Sequence, residues 1–269
     1  SLRTKISEVY EPEVISVKTN MDAEEVAQLM EKYNLVFVAV VDGLGKLVGR
    51  INIDDVVDVI RKEETEDVQK MAAVQVLDEP YMNSSVWEVI KKRAGWLMIL
   101  FVGESFTATA MGFFENQISK AVVLALFVPL IISSGGNTGS QASTLIIRSL
   151  ALGEVTVKEW WKIFSREIRV GLILGIILGI IGFLRVVVWS SFIDVYGEHS
   201  ILVGLTVGIS LLGVVLWGNL VGSIFPLFLK RVGLDPAVSS APFVATLVDI
   251  TGLLIYFTIA SLLLTGILL

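Results

Sequence analysis

Two carboxylates stand where an apolar chain would least be expected to hold them. Asp249 lies in "FVATLVDITGLLIYF" and Glu104 in "FVGESFTATA", about 12 and about 10 residues into long hydrophobic runs. A short acidic side chain at such depth in a membrane cannot snorkel to the surface; unless it is protonated or paired, it marks a function such as cation binding or proton transfer. Thr246, Thr251 and Gly252 give Asp249 polar and open company. A third feature is "PLIISSGGNTGSQASTLIIRSL", residues 129–150, whose ends are apolar and whose middle is small, polar and turn-prone. Gly135, Gly136 and Gly139 would let a helix or an ion approach the backbone, and Asn137, Thr138 and Gln141 offer side-chain oxygens. Oxygen donors suit a hydrated hard cation. Irregular, glycine-rich backbone at membrane depth is tolerated only against protein or a watery cavity. Together with Asp249, the stretch is expected to line a pore.

These residues need membrane elements to carry them. The chain of 269 residues is 54% hydrophobic with a mean hydropathy of +0.75, above soluble globular proteins. Five apolar segments, at about 94–114, 121–149, 168–189, 201–229 and 237–267, each reach the roughly 20 residues of a spanning helix. Gly171, Gly175 and Gly179 form a small-residue ridge at spacing four, a helix-packing face. Lys91, Lys92 and Arg93 precede the first span; Arg148, Lys158, Lys162, Arg166 and Arg169 separate the second and third; Lys230 and Arg231 separate the fourth and fifth. The opposite side has Lys120 and Arg185. By the positive-inside rule the N-terminal region is expected in the cytoplasm of a cell (inner) membrane, with the C-terminus outside.

There is no cysteine and a single histidine, His199, which excludes disulfides, thiolate metal sites and multi-histidine zinc sites. The formal charge of −6 falls entirely in residues 1–93, and residues 94–269 are neutral. An acidic soluble region makes cations the expected partner and nucleic acid an unsuitable one. The first residues lack a basic stretch followed by an apolar one, so no signal peptide is expected.

Residues 1–67 alternate strand and helix signals. A short β run at 14–17 precedes a helix opened by Asp22 with Val26, Leu29 and Met30 on one face. A buried strand is expected at 35–41, a turn at Asp42-Gly43-Leu44-Gly45, a returning strand at 46–53, and a helix from Asp54 with Val56, Val57 and Ile60 inward. This β-α-β-β-α order, with "VVDGLGKLVGRINIDDVVDVI", resembles a CBS domain. CBS domains usually occur in pairs, and the chain starts at Ser1 without Met, so further sequence upstream is expected. Residues 63–85 are a charged, then mixed connector, helical at first and expected to end at Pro80.

"PLIISSGGNTGSQASTLIIRSLALGE", "NLVGSIFPLFLKRVGLDPA" and "PFVATLVDITGLLIYF" are similar to the MgtE family of magnesium channels, and the likeness covers nearly the whole chain. Ser140 and Ala241 stand where the family pattern often or sometimes has Asn, and Glu104 matches no family motif. The resemblance implies an α-helical polytopic membrane protein of five transmembrane helices with an N-terminal α/β CBS domain. Residues 1–62 would be the second CBS domain of a tandem, 63–93 an acidic connecting or plug helix and linker, and 94–269 the pore domain. It also implies a homodimer whose interface holds the pore, lined by the second and fifth spans. Asp249, Thr246, Gly135, Gly136, Asn137, Thr138, Gly139 and Gln141 would be its pore or metal residues. Mg2+ would be transported and also regulatory, with Mn2+ and Co2+ as related ions; a nucleotide between paired CBS domains would belong to a longer chain. Asp55, Asp58, Glu63, Glu66 and Asp67 match acidic regulatory Mg2+ positions, and their spacing puts each group on about one helical face. A proton- or sodium-coupled divalent carrier, in which Glu104 and Asp249 titrate, is the alternative. An enzyme is not expected: HExxH is absent, and one deep aspartate does not make an aspartyl dyad. A non-transporting receptor would leave Asp249 without a purpose.

Overall fold

The computed structural model describes Lys5, residues 14–192, Tyr196 and residues 199–268. The beginning of the CBS-like segment, residues 1–4 and 6–13, lies outside the described residues. The chain divides into two compact units, Ser1–Val68 and Gln69–Leu269.

In the first unit, β1 (Ser16–Lys18) pairs parallel with β2 (Phe37–Val41), which pairs antiparallel with β3 (Leu47–Asn52). Helix α1 (Ala23–Lys32) connects the parallel pair, as a crossover must. Asp22 caps it by accepting from Glu24 N at 2.9 Å. The core is Val17, Val26, Ala27, Met30, Val38 and Val56. Two sequence expectations need correction. Strand β2 is covered on one face only: Val38 is 1% exposed but Phe37 is 59% exposed, because successive side chains point to opposite faces. In α2 (Ile53–Met71), Val56 and Ile60 pack inward one turn apart, whereas Val57 lies about 100° round the helix and is exposed.

Helix α2 runs unbroken through residues 62 and 63, and it stops well before Pro80. Ala73 takes a left-handed φ of 57°. Val74 N donates to Gln69 O and Ala73 N to Lys70 O, both at 2.9 Å, a Schellman closure that satisfies the last carbonyls.

Among the described residues, the second unit contains five helices long and apolar enough to cross a membrane. They are α3 (Val86–Phe113), α5 (Val128–Ala151), α6 (Trp160–Ser190), α7 (Ser200–Arg231) and α8 (Ala241–Leu264). The short α4 (Glu115–Lys120) and a 3-10 turn (Val122–Phe127) join α3 to α5. Ser85 caps α3, and Pro129 and Pro242 occupy the first turns of α5 and α8, where a missing N–H leaves no gap.

The stretch expected to be irregular is regular: residues 133–141 continue α5 without a break. Helix satisfies every backbone group internally, which hydrocarbon demands, so glycines in this setting serve packing instead of a turn. A Cβ on Gly139 would sit 2.9 Å from the Gly218 carbonyl oxygen. Cβ atoms on Gly218 and Gly222 would collide with the carbonyls of Gly135 and Gly139. Helices α5 and α7 thus touch backbone to backbone. The ridge on α6 packs on α7 in the same way, with Gly175 against Leu212 O (2.9 Å) and Gly179 against Gly208 O (2.7 Å) for a Cβ built at each.

Gly222→Ala should therefore overpack the α5–α7 seam and lower stability by about 1–3 kcal/mol. Thermal unfolding in detergent checks this, with Gly112→Ala, whose Cβ would meet nothing within 4 Å, as the silent comparison.

Candidate functional site

Asp249 projects from α8, half-buried, toward α5. Its Oδ1 lies 3.3 Å from where a Cβ on Gly136 would be, and Ala245 Cβ lies 3.4 Å from the same point. Glycine at 136 is what leaves this carboxylate room beside α5. The height of α8 is fixed by polar contacts along its length. Ser143 Oγ donates to Ser239 O at 2.8 Å and Ser140 Oγ to Ala241 O at 3.0 Å, tying α5 to the start of α8. Trp217 Nε1 donates to Thr251 Oγ1 at 2.8 Å, and Tyr256 OH to Leu124 O at 2.8 Å. Ser140, Ser143 and Trp217 were not among the sequence candidates; a hydroxyl beside a glycine ridge carries no local signal of the carbonyl it reaches about a hundred residues away.

Helix α3 runs parallel to α8. A Cβ on Gly103 would lie 2.9 Å from Thr246 Cγ2, and Phe114 stacks on Phe257 with centroids 4.9 Å apart. The register is the same at both contacts, which puts Glu104 at the height of Leu247. Glu104 is exposed and within electrostatic range of Asp249.

The glycine-rich stretch divides by face. Gly135 and Gly139 are buried against α7, and Thr138 is buried with its hydroxyl donating to Ser134 O at 2.8 Å. Asn137 and Gln141 are exposed, while Thr246 is half-buried on α8. Ser133 and Thr144 extend Asn137 and Gln141 into one exposed polar stripe at i, i+4, i+8 and i+11, a spacing legible in the sequence but not singled out from it. A hollow of about 440 Å3, lined by Ser140, Gln141, Thr144 and Leu145, opens on this face. A polar stripe at mid-membrane cannot face lipid without heavy desolvation. Its amides and hydroxyls, with the nearby carboxylates, can hold a hydrated cation through its water shell. Among the described residues no three His, Cys, Asp or Glu side chains gather into a metal cluster.

On α2, Asp55 and Asp58 are exposed, and Glu63, Glu66 and Asp67 are half-buried. Asp55 Oδ2 accepts from Asn52 N at 3.5 Å at the helix start. The five do not converge on one preformed metal site.

Residues 128–259 match MgtE, described as a divalent cation transporter, and residues 6–62 match the CBS domain. The chain is 42% identical over 267 residues to a protein named magnesium transporter MgtE from Thermus thermophilus, covering 98% of this chain and 57% of that protein. It is 34% identical over 260 residues to the Enterococcus faecalis protein of that name, and 31% over 257 to the one from Bacillus subtilis, covering 96% of this chain and 55% of each. The chain belongs to the MgtE family. It spans about half the length of the curated relatives it matches. The MgtE match takes in α5, α6, α7 and most of α8, so Asp249, Gly136 and the polar stripe all fall within it. The family is one of transporters, not enzymes.

In this MgtE chain, a methyl at 136 would press on the carboxylate without striking backbone. Gly136→Ala should leave folding intact while displacing Asp249, whereas Gly139→Ala should destabilise the fold. Size-exclusion profile and thermal midpoint, read beside cation flux, separate the two outcomes.

Proposed function

We propose that this chain forms the ion-conducting part of a Mg2+ channel of the cell (inner) membrane, working as a homodimer gated by cytosolic Mg2+. The observation that carries the reading is Asp249 seated against Gly136, beside an exposed polar stripe at the middle of a membrane helix. A second copy brought to that stripe removes it from lipid and supplies a second Asp249. Two carboxylates attract a divalent ion about twice as strongly as a monovalent one at equal distance. Mg2+ keeps its inner waters reluctantly exchanged, so side-chain oxygens of Asn137 and Gln141 would address the hydrated ion. The relatives' printed names support Mg2+ as cargo. The basic α5–α6 and α7–α8 connections support a cytoplasmic first unit and an external C-terminus.

Gating is assigned to the acidic residues of α2. Asp55, Asp58, Glu63, Glu66 and Asp67 are close enough in sequence for mutual repulsion to oppose a compact arrangement, and bound Mg2+ would relieve it. The end of α2 has a direct route to α8: Lys70 Nζ is 2.6 Å from Asp235 Oδ2 in the α7–α8 connection. Asp235 Oδ1 meanwhile accepts from Ala237 N at 2.8 Å, capping the turn that leads into α8. A nucleotide between paired CBS domains, and Mn2+ or Co2+ as further cargo, belong to the same reading. The proximity of Glu104 to Asp249 favours one competitor, a proton- or sodium-coupled carrier. Flux that follows a pH or Na+ gradient across liposomes would select that competitor.

Asp249→Asn keeps the side-chain volume and removes the charge. Mg2+ uptake into liposomes should fall roughly tenfold or more, with the oligomeric state unchanged; uptake at the unaltered level would sink the pore assignment. Replacing Glu66 and Asp67 by Gln and Asn together should move Mg2+-induced closure to higher cytosolic Mg2+, measured as open probability in the full-length protein. An inhibition curve that stays in place would make these carboxylates ordinary surface charge.

A further inference from the structure

Glu104 stands eleven residues after Arg93 and eleven before Glu115, roughly 16 Å of helical rise from each, at mid-depth of its span. It is exposed, and among the described residues it has no hydrogen bond or ion pair. A carboxylate so placed is costly against lipid and marks a watery, ion-bearing surface.

The direction in which it points follows from the contact between α3 and α8. Gly103 meets Thr246: a Cβ built on the glycine would lie 2.9 Å from Thr246 Cγ2. From that line, at about 100° per residue, Thr107 stands about 40° and Glu104 about 100° round α3 toward one side. The two helices run parallel, so a rotation of opposite sign on α8 reaches that same side. Asp249, three residues after Thr246, lies about 60° round in that sense. Glu104, Thr107 and Asp249 therefore flank one cleft within about a helical turn of height, and Glu104 is within electrostatic range of Asp249. Helix α5 meets Asp249 at Gly136, with Asn137 exposed beside it.

Thr107 supplies an independent sign of what the cleft holds. It is 7% exposed, and among the described residues its Oγ1 is enclosed without a hydrogen-bond partner. Neighbouring hydroxyls on α3 behave otherwise: Ser105 donates to Phe101 O at 2.9 Å and Thr109 to Ser105 O at 3.2 Å. A buried hydroxyl left unpaired is costly, and water at the cleft edge satisfies it. Waters of a hydrated ion can serve this hydroxyl and donate to both carboxylates at once, which suits an ion that gives up its shell reluctantly.

Resting on the reading of Asp249 as the pore carboxylate, we propose that Glu104 and Thr107 of α3 complete with Asp249 a site for a hydrated divalent cation. Glu104 is then a second carboxylate in each copy, and it sets the preference for divalent over monovalent ions. One carboxylate matches half the charge of a divalent ion, and two match it in full. Each added negative charge attracts a divalent ion twice as strongly as a monovalent one at equal distance.

The test is Mg2+ flux through the purified full-length protein in liposomes, over a series of external Mg2+ concentrations at low internal Mg2+. The preference for Mg2+ over K+ is read from reversal potentials in planar bilayers. Glu104→Gln should raise the half-saturating Mg2+ concentration roughly tenfold, the attraction of one carboxylate for a divalent ion across its water shell. It should also lower the preference for Mg2+, with thermal midpoint and oligomeric state unchanged. Glu104→Asp should restore part of both. Thr107→Val keeps the shape and removes the hydroxyl; it should weaken Mg2+ saturation about threefold without lowering the thermal midpoint, since no protein group pairs with that hydroxyl. Ser105→Ala, on the far side of α3, should change neither quantity. Unmoved saturation and preference in Glu104→Gln, with flux abolished in Asp249→Asn, would overturn this proposal and leave the pore reading standing. Undiminished flux in Asp249→Asn would overturn both. Flux in the unaltered protein that follows a proton or Na+ gradient, and loses that dependence in Glu104→Gln, would make Glu104 a coupling group and overturn the proposal as well.

Discussion

The contact on which the second unit depends is the meeting of two backbones, α5 on α7, at Gly135, Gly139, Gly218 and Gly222. Lipid offers helices no hydrophobic drive to associate, so close van der Waals contact and interhelical hydrogen bonds must supply it. Four positions without side chains let carbonyls of one helix lie where the other's Cβ atoms would be. Helix α6 repeats the device on another side of α7 through Gly175, Gly179 and Gly208. With α7 gripped from two sides, α8 is left to pack in the angle between α5 and α7. That is where the buried aliphatic and aromatic residues Val214, Val248, Leu253, Tyr256 and Phe257 accumulate.

Most hydrogen-bonded polar side chains within the helices of this unit fall into two sets. Ser134, Thr138, Thr206 and Thr251 turn their hydroxyls back onto carbonyls of their own helices, which removes them from hydrocarbon at little structural cost. Ser140, Ser143, Trp217, Asn219 and Tyr256 bond to a different element; Asn219 Nδ2, for example, donates to Glu167 O and Oε2 at 2.8 and 2.9 Å. These lock register. Asn137, Gln141, Asp249 and Glu104 belong to neither set. They lie on or beside the open faces of α5, α8 and α3, and the geometry that surrounds them concerns access more than stability.

Much of this was legible in the residues because the membrane simplifies the code. Long apolar runs locate the spans, and the spacing of Gly171, Gly175 and Gly179 gave the α6 packing face correctly. The α-β order of the first unit followed from Asp22, Asp42 and Gly43 and the apolar runs between them. The regularity of α5 is hidden in the residues because Ser, Gly and Asn are turn formers in water, where exposed backbone finds partners; in hydrocarbon only the helix satisfies it. The helix stop at Ala73 was hidden because alanine seldom takes a left-handed φ, so Pro80 drew the boundary instead. Val56 and Val57 look alike in sequence, and only the partner surface decides which of them turns inward. The functions of Ser140 and Ser143 depend on the carbonyls of residues 239 and 241, a proximity that no local pattern encodes.

A regular α5 changes how the candidate site can work. A loop could wrap an ion with carbonyls, whereas a helix hides its carbonyls along its axis and presents only side chains. The open face of α5 offers amides and hydroxyls, which are weak ligands for a bare Mg2+ but good partners for its water shell. On the proposed reading a strong ligand then comes from elsewhere, and Asp249 of α8, seated at Gly136, is the carboxylate in place to be it. Because α8 begins at a turn capped by Asp235, and Asp235 is also held by Lys70, the carboxylate's position is mechanically continuous with the end of α2. A shift of that turn by even part of a helical rise would slide Asp249 past Gly136 and change the room beside the carboxylate. The hydrogen bonds from Ser143 to Ser239, just before α8, and from Ser140 to Ala241, its first residue, resist that slide. The balance between the Lys70–Asp235 pair on one side and the two serines on the other sets how readily α8 can move.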